Sequence, residues 1–128
     1  MTTSSTTLSL STLFQTLSLQ PRLEILLAIG EAEACVCHLE AALGYRQAFI
    51  SQHLMALREA NLLETRRAGR FVYYRLADRS ILKLLAQAGK VLGIPVEPQP
   101  VPAVPCECPN CNSKKELKHK GHKGTRRV

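Results

Sequence analysis

The chain has 128 residues, of which 45% are hydrophobic, which suits one domain with a modest core and argues against wholesale disorder. The net charge of +7 falls mostly in residues 114–128, which hold seven of the 17 Lys and Arg and one of the 10 Asp and Glu. No apolar run approaches the roughly 20 residues that span a bilayer, and the start lacks the pattern of a signal peptide, so we expect a cytoplasmic protein without membrane segments.

Four helices are predicted in the first half of the chain from apolar side chains at helical spacing. The first is centred on residues 10–17 and ends before Pro21, which suits the first turn of a second helix that stops at Gly30. A short third helix is predicted for Cys35 to Leu43, and a fourth for Gln47 to Ala60. Two helices joined by a short glycine turn are the helix-turn-helix pattern.

Two segments rich in strand formers follow, at residues 62–67 and 70–76, and the turn between them predicts a β-hairpin. Arginines at its tip make the hairpin a cationic wing. Asp78 can cap a last helix whose apolar stripe runs from Ile81 to Leu92, and a stripe that wide often serves a dimer. The predicted fold class is mainly α with a β-hairpin wing, a winged helix-turn-helix with five helices and the hairpin between the fourth and the fifth.

Composition predicts four segments along the chain. Residues 1–7 are expected to be a flexible N-terminus, and residues 8–93 the winged helix-turn-helix domain for DNA binding and dimerisation. Residues 94–105 are rich in proline and predict a semi-rigid linker outside the core. Residues 106–128 form a basic tail that contains cysteines.

The five cysteines fall into two clusters, Cys35 with Cys37 and Cys106 with Cys108 and Cys111. In a reducing compartment, an odd number of clustered thiols favours metal binding or redox sensing over a disulfide framework. Positions i and i+2 project to nearly opposite sides of a helix, so both thiols of the first pair can bind one ion only if that turn is unwound or never forms. Ligand binding is therefore expected to cost helix structure there.

Several literal strings and the order of elements resemble the ArsR/SmtB family of winged-helix metal-sensing repressors over about residues 8–93. The strings are PRLEIL at residues 21–26, CVCHL at 35–39, ISQHL at 50–54 and GRFVYYRL at 69–76. The resemblance implies a homodimer, paired through the first and last helices, that represses an operator and leaves it on binding a toxic ion. In relatives with the Cys-Val-Cys motif, those thiolates bind As(III), Sb(III), Cd(II) or Pb(II).

The predicted ion site combines both cysteine clusters. Trivalent arsenic takes three sulfurs, so Cys35 and Cys37 need a third from Cys106, Cys108 or Cys111. We expect As(III) or Sb(III) as the inducer ahead of Cd(II) or Pb(II), with Zn(II) as a further possibility. Two alternatives stay open: a redox or reactive-sulfur sensing repressor of the same fold, and a constitutive DNA-binding protein with a structural zinc on the tail. An enzyme is not expected, because no nucleophile and base pair, phosphate loop or acid dyad is present.

Double-stranded operator DNA is the expected partner of the fourth helix and the wing. Polar side chains on the outer face of that helix can hydrogen-bond base edges in the major groove, while the wing arginines would contact phosphate or the minor groove. The predicted DNA-binding set is Gln47, Ala48, Ser51, Gln52, His53, Arg66, Arg67 and Arg70.

Overall fold

A computed structural model of the chain describes residues 3–98, which form five helices and three short strands. The helices are α1 (Thr3–Leu17), α2 (Gln20–Ile29), α3 (Val36–Leu43), α4 (Gln47–Glu59) and α5 (Ser80–Leu92), and the strands are β1 (Glu33–Cys35), β2 (Leu63–Ala68) and β3 (Phe71–Leu76). The predicted winged helix-turn-helix, mainly α with a hairpin between the fourth and fifth helices, is confirmed. Within these residues, no helix combines the length and the apolar character needed to cross a bilayer.

The centre of the core is built by α2, α3 and α4, because each of them turns an apolar stripe toward the same interior. Each fully buried aliphatic side chain contributes about 1.5–3 kcal/mol relative to an exposed one. Gly44 ends α3 with a φ of 82°, a left-handed conformation that glycine adopts without steric cost, so α4 can turn sharply and pack against α3. The largest fully buried side chains are Ile25, Leu26, Leu39, Ile50, Leu54 and Leu57.

The hairpin of β2 and β3, called the wing below, carries a third strand that the sequence did not predict. β1 pairs antiparallel with β3, which gives a sheet of order β1-β3-β2. β1 has only three residues, so the alternation of apolar and polar side chains that marks a strand is too short to be recognised in the sequence. Because β1 leads directly into α3, it joins the start of the helix-turn-helix to the wing.

The two faces of this sheet have different surroundings, since successive strand residues point to opposite sides. Ala34, Leu63 and Tyr74 lie on one face and pack in the main core. Cys35 and Tyr73 lie on the other face, where they form a second small buried cluster. We call this second side of the sheet the thiol face.

The N-terminal boundary of the domain differs from the prediction. α1 begins at Thr3, so residues 3–7 are helical and not a flexible N-terminus. Hydroxyl side chains are compatible with this helix because they bond back to its own carbonyls. Thr12 donates to the Leu8 carbonyl at 3.0 Å, and Thr16 donates to the Thr12 carbonyl at 3.1 Å.

The C-terminal boundary also differs, because the first residues of the predicted linker fold back onto the domain. The Ile94 amide donates to the Gly89 carbonyl at 2.9 Å, and Val96 packs against the main core. Gly89 makes room for this contact, since a Cβ there would lie 2.5 Å from Val96 Cγ2. Pro98 then lies beside Gly30, at the end of α2. Residues 99–105 of the predicted linker, and the tail, lie outside the described residues.

Candidate functional site

Cys35 and Cys37 lie side by side at the junction of β1 and α3. Cys35 is the last residue of β1 and has extended backbone angles, with φ −92° and ψ 169°, whereas Cys37 lies in the first turn of α3. The two sulfur atoms are 3.1 Å apart. The predicted helical state of Cys35 is therefore wrong, and the helical turn that would separate the two thiols does not form, because the extended backbone at Cys35 brings its sulfur next to that of Cys37. No helical turn has to unwind for one ion to contact both sulfurs.

The thiol pair is only partly accessible from solvent. Cys35 is 3% exposed and packs with Tyr73, which is 2% exposed, while Cys37 is half-buried. Phe71 and Ala68 of the wing complete this cluster. An ion can therefore approach Cys37 from solvent and reach Cys35 at the edge of an apolar, aromatic environment.

The spacing of the two sulfurs suits a chelate with little rearrangement. Two sulfurs bound tetrahedrally to one metal at about 2.3 Å each lie roughly 3.8 Å apart, so a chelate widens the 3.1 Å separation by only about 0.7 Å. Within residues 3–98, no group of three or more His, Cys, Asp or Glu side chains is arranged to hold an ion. The described site therefore supplies two soft ligands, and Cys106, Cys108 and Cys111 lie outside the described residues.

An ion pair connects β1 to the wing next to the thiols. The Arg66 guanidinium donates to the Glu33 carboxylate, through Nε at 3.2 Å to both oxygens and through Nη2 to Oε1. This hydrogen bond, together with the charges of Arg66 and Arg75, holds the pKa of Glu33 below its ordinary value, although desolvation opposes the shift. The Arg66 guanidinium also lies 4.6 Å from the centroid of the Tyr73 ring, a cation–π contact.

The outer face of α4 presents the polar side chains that the sequence predicted. Gln47, Ala48 and Gln52 are exposed, and Ser51 is partly exposed. The opposite side of the helix is buried in the core. This is the arrangement that a recognition helix requires, with short polar groups free to reach base edges.

His53 does not lie on this outer face. It is 8% exposed, its Nδ1 accepts a hydrogen bond from Arg22 Nε at 3.1 Å, and its ring contacts Phe49 edge to face at 4.6 Å. The pKa of His53 is lowered because burial, and then the charge of Arg22, disfavour the imidazolium. His53 completes the i, i+3, i+4, i+7 stripe that starts at Ile50, so the helical period could have identified it as a packing residue. We therefore leave it out of the DNA-facing set.

Two polar contacts anchor α4 and the turn before it to α2. Arg22 bridges the helices, because its Nη1 also donates to the Thr16 carbonyl at 3.0 Å. The Tyr45 hydroxyl donates to Glu24 Oε1 at 2.5 Å, and the Tyr45 ring lies 5.0 Å from that of Phe49. These long-range contacts fix the direction of the recognition helix, and a sequence pattern does not reveal them.

The three wing arginines of the prediction have different positions. Arg66 lies on the thiol face, where it is bound to Glu33. Arg67 is the next residue on β2, so it points to the opposite side and is exposed. Arg70 lies at the hairpin turn, with its guanidinium 5.4 Å from the Phe71 ring. Arg67 and Arg70 thus differ from Arg66 in lying away from the Glu33 carboxylate on the thiol face.

Comparison with known proteins gives a consistent result. A family model described as "Bacterial regulatory protein, arsR family" matches residues 20–65. The chain is 35% identical to the biofilm growth-associated repressor of Agrobacterium fabrum over 85 residues, which are 66% of this chain and 73% of that protein. It is 47% identical to the arsenical resistance operon repressor of Escherichia coli over 66 residues, which are 51% of this chain and 56% of that protein.

A solved structure matches the fold as well. The solution structure of a homodimeric winged helix-turn-helix DNA-binding domain from Mycobacterium bovis, a possible ArsR-family transcriptional regulator, superimposes with a TM-score of 0.63 at 28% identity. The match covers 70% of this chain and 82% of that one. By sequence, the aligned segments span 54%, 40% and 56% of three curated relatives, or about half of their length.

Proposed function

The chain belongs to the ArsR family of bacterial regulatory proteins, and we propose that it is a homodimeric repressor that leaves its operator when a thiophilic ion binds Cys35 and Cys37. The observation that carries this proposal is the 3.1 Å separation of two thiols at the start of the helix-turn-helix. As(III) and Sb(III) are the proposed inducers ahead of Cd(II) and Pb(II), because soft thiolates select soft ions. The similarity to an arsenical resistance operon repressor also supports As(III) as the first of these proposed inducers.

Dimerisation through α1 and α5 is supported by the apolar surface that both helices leave exposed in the single chain. Phe14 on α1 is 52% exposed, and Val91 and Leu92 on α5 are 86% and 72% exposed. Large apolar side chains exposed together on a helix often mark association sites in soluble proteins. A second copy of the chain would cover this surface and place two recognition helices for two half-sites.

The third sulfur for a trivalent ion is proposed to come from Cys106, Cys108 or Cys111. The path of the described chain supports this, because Pro98 lies beside Gly30, only five residues before Cys35. From Pro98, the eight residues to Cys106 can extend about 25 Å at 3.1 Å per residue, whereas the five residues from Gly30 to Cys35 span at most about 17 Å. A tail cysteine of the same subunit can therefore reach the thiol pair.

X-ray absorption of the arsenite complex tests this ligand set. We expect three sulfurs around arsenic in the parent protein and two in a variant with Cys106, Cys108 and Cys111 changed to Ser. The affinity for arsenite should fall at least tenfold in that variant, while operator binding stays within twofold. An unchanged sulfur count and affinity would exclude the tail from the site.

Footprinting tests the DNA-binding part of the proposal. One dimer should protect an inverted repeat with half-sites about one helical turn apart. Gln52→Ala or Ser51→Ala should weaken binding to the operator but not to unrelated DNA, whereas Arg70→Ala should weaken both. Protection of a single unpaired half-site by a monomer would refute the dimeric repressor.

A redox-sensing repressor is the second candidate, and the same sulfur separation favours it. Peroxide can take two electrons and two protons from the thiols, which become a disulfide while the peroxide becomes two waters. Operator release by peroxide that dithiothreitol reverses, with no release by arsenite, would select this candidate.

A further inference from the structure

We propose that the thiol pair controls the wing through a row of side chains on the thiol face, and that Tyr73 and Arg66 are positioning residues that set how strongly an inducer weakens DNA binding. This inference rests on the proposed function, since it names the route by which the thiols act on the DNA-binding surface. The row runs across all three strands of the sheet, from Cys35 on β1 through Tyr73 on β3 to Arg66 on β2.

Strand register places these three side chains in line. Cys35 is paired with Tyr73, and Tyr73 is paired with Arg66 on its other side. Directly paired residues of antiparallel strands project to the same face with Cβ atoms about 4.5–5.5 Å apart. The buried contact between Cys35 and Tyr73 and the cation–π contact between Tyr73 and Arg66 show that the neighbours touch.

A second connection closes the row into a loop of contacts. Glu33 lies two residues before Cys35 on the same strand and the same face, and its carboxylate accepts the hydrogen bonds of Arg66. Both ends of β1 are thus attached to the wing, one through the Tyr73 ring and one through the ion pair. A three-residue strand held at both ends cannot shift alone.

Ion binding would displace this strand. Opening the two sulfurs from 3.1 Å toward the roughly 3.8 Å of a chelate moves Cys35 against a ring that is 2% exposed. Close-packed interiors transmit such shifts because they contain no space to absorb them. The displaced ring and strand would then change the position of Arg66 and of the wing that carries Arg67 and Arg70.

Arg66 and Arg67 offer a matched pair of variants for the test. Both are exposed arginines on β2, and Gln removes one wing charge in either case, but only Arg66 lies on the thiol face. For the full-length reduced protein, operator Kd is measured by fluorescence anisotropy with and without sodium arsenite, and in parallel with cadmium chloride. The ratio of the two Kd values is the coupling factor. Inducer binding to the free protein is followed separately by sulfur-to-metal absorbance.

We expect the coupling factor to fall at least fivefold in Arg66→Gln and to stay within twofold of the parent in Arg67→Gln, with inducer affinity unchanged in both. Glu33→Gln leaves every wing arginine in place, so it should reproduce the loss of coupling without weakening basal operator binding.

The outcomes separate this inference from the proposed function. Equal coupling factors in Arg66→Gln and Arg67→Gln, with normal release of the parent protein, would overturn the coupling route and leave the repressor intact. A parent protein that neither ion releases from DNA would overturn the proposed function, and the coupling route with it. Loss of inducer binding in Arg66→Gln would also overturn the inference, because it would make Arg66 a part of the ion site.

Discussion

Replacing Arg22 by Met should destabilise the domain, because one guanidinium joins three helices. Arg22 of α2 donates to His53 on α4 at 3.1 Å and to the carbonyl of Thr16 on α1 at 3.0 Å. Methionine keeps most of the aliphatic packing of the arginine stem but supplies no donor. The imidazole nitrogen of the buried His53 and the Thr16 carbonyl would both lose their donor.

The expected loss is about 2–3 kcal/mol, since each hydrogen bond from a charged group is worth roughly 1.5–3 kcal/mol and both hydrogen bonds are only partly buried. For a domain of about 100 residues, this corresponds to a fall in Tm of roughly 10–20 °C. Operator affinity should fall as well, because the Arg22 bridge fixes α4 against α2.

Urea unfolding followed by far-ultraviolet circular dichroism measures this loss, with Arg58→Met as the control. Arg58 is an exposed cation on α4, and its replacement should change the free energy of unfolding by less than about 0.5 kcal/mol. Equal stabilities for Arg22→Met and Arg58→Met would refute the bridging role of Arg22.

Two further predictions concern pH and the turn before the recognition helix. The pKa of His53 in the folded protein is below its ordinary value of 6.5, so near that pH the unfolded chain binds more protons than the folded protein does. The contribution of neutral His53 to the stability of the folded state is therefore fully present above pH 6.5. It is lost as the pH falls through the folded-state pKa. Thermal melts between pH 7.5 and 5 should show this loss, and His53→Gln should reduce it. Gly44→Ala should cost about 1 kcal/mol from backbone strain alone, because φ is 82° and, among residues 3–98, no heavy atom beyond Gly44 and its two chain neighbours lies within 4 Å of the new Cβ. Gly44→Asn should recover part of that stability in the same melts, and a Gly44→Ala protein as stable as the parent would contradict the strain.

The helices and the wing could be predicted from the sequence because their apolar residues repeat over many positions. Ile50, Leu54 and Leu57 mark the buried side of α4, and the turn at Gly69 divides two segments of strand formers. Such patterns extend over elements of 6–15 residues, so one residue that departs from the pattern does not hide it. The outward position of Gln52 followed from the same period.

The geometry of the thiol pair could not be predicted, because it depends on one extended residue and on a strand of three residues. The sequence contains no local signal that Cys35 pairs with Tyr73, which is 38 positions away in the chain. Treating Cys35 as the first residue of the third helix led to the expectation that ion binding costs helix structure there. Once β1 is known, alternation along β3 places Tyr73 on the thiol face and Tyr74 in the core.

The central claim, that Cys35 and Cys37 sense the ion, is tested most directly by titrating arsenite into the reduced protein on labelled operator while sulfur-to-arsenic absorbance is recorded. In the parent protein, absorbance and release from DNA should rise together and saturate at one ion per site. Cys35→Ser and Cys37→Ser should retain operator binding. Neither variant should leave the DNA at arsenite concentrations up to at least tenfold above the concentration that releases the parent protein. Release of either serine variant at the parent concentration would show that these thiols are not the sensor.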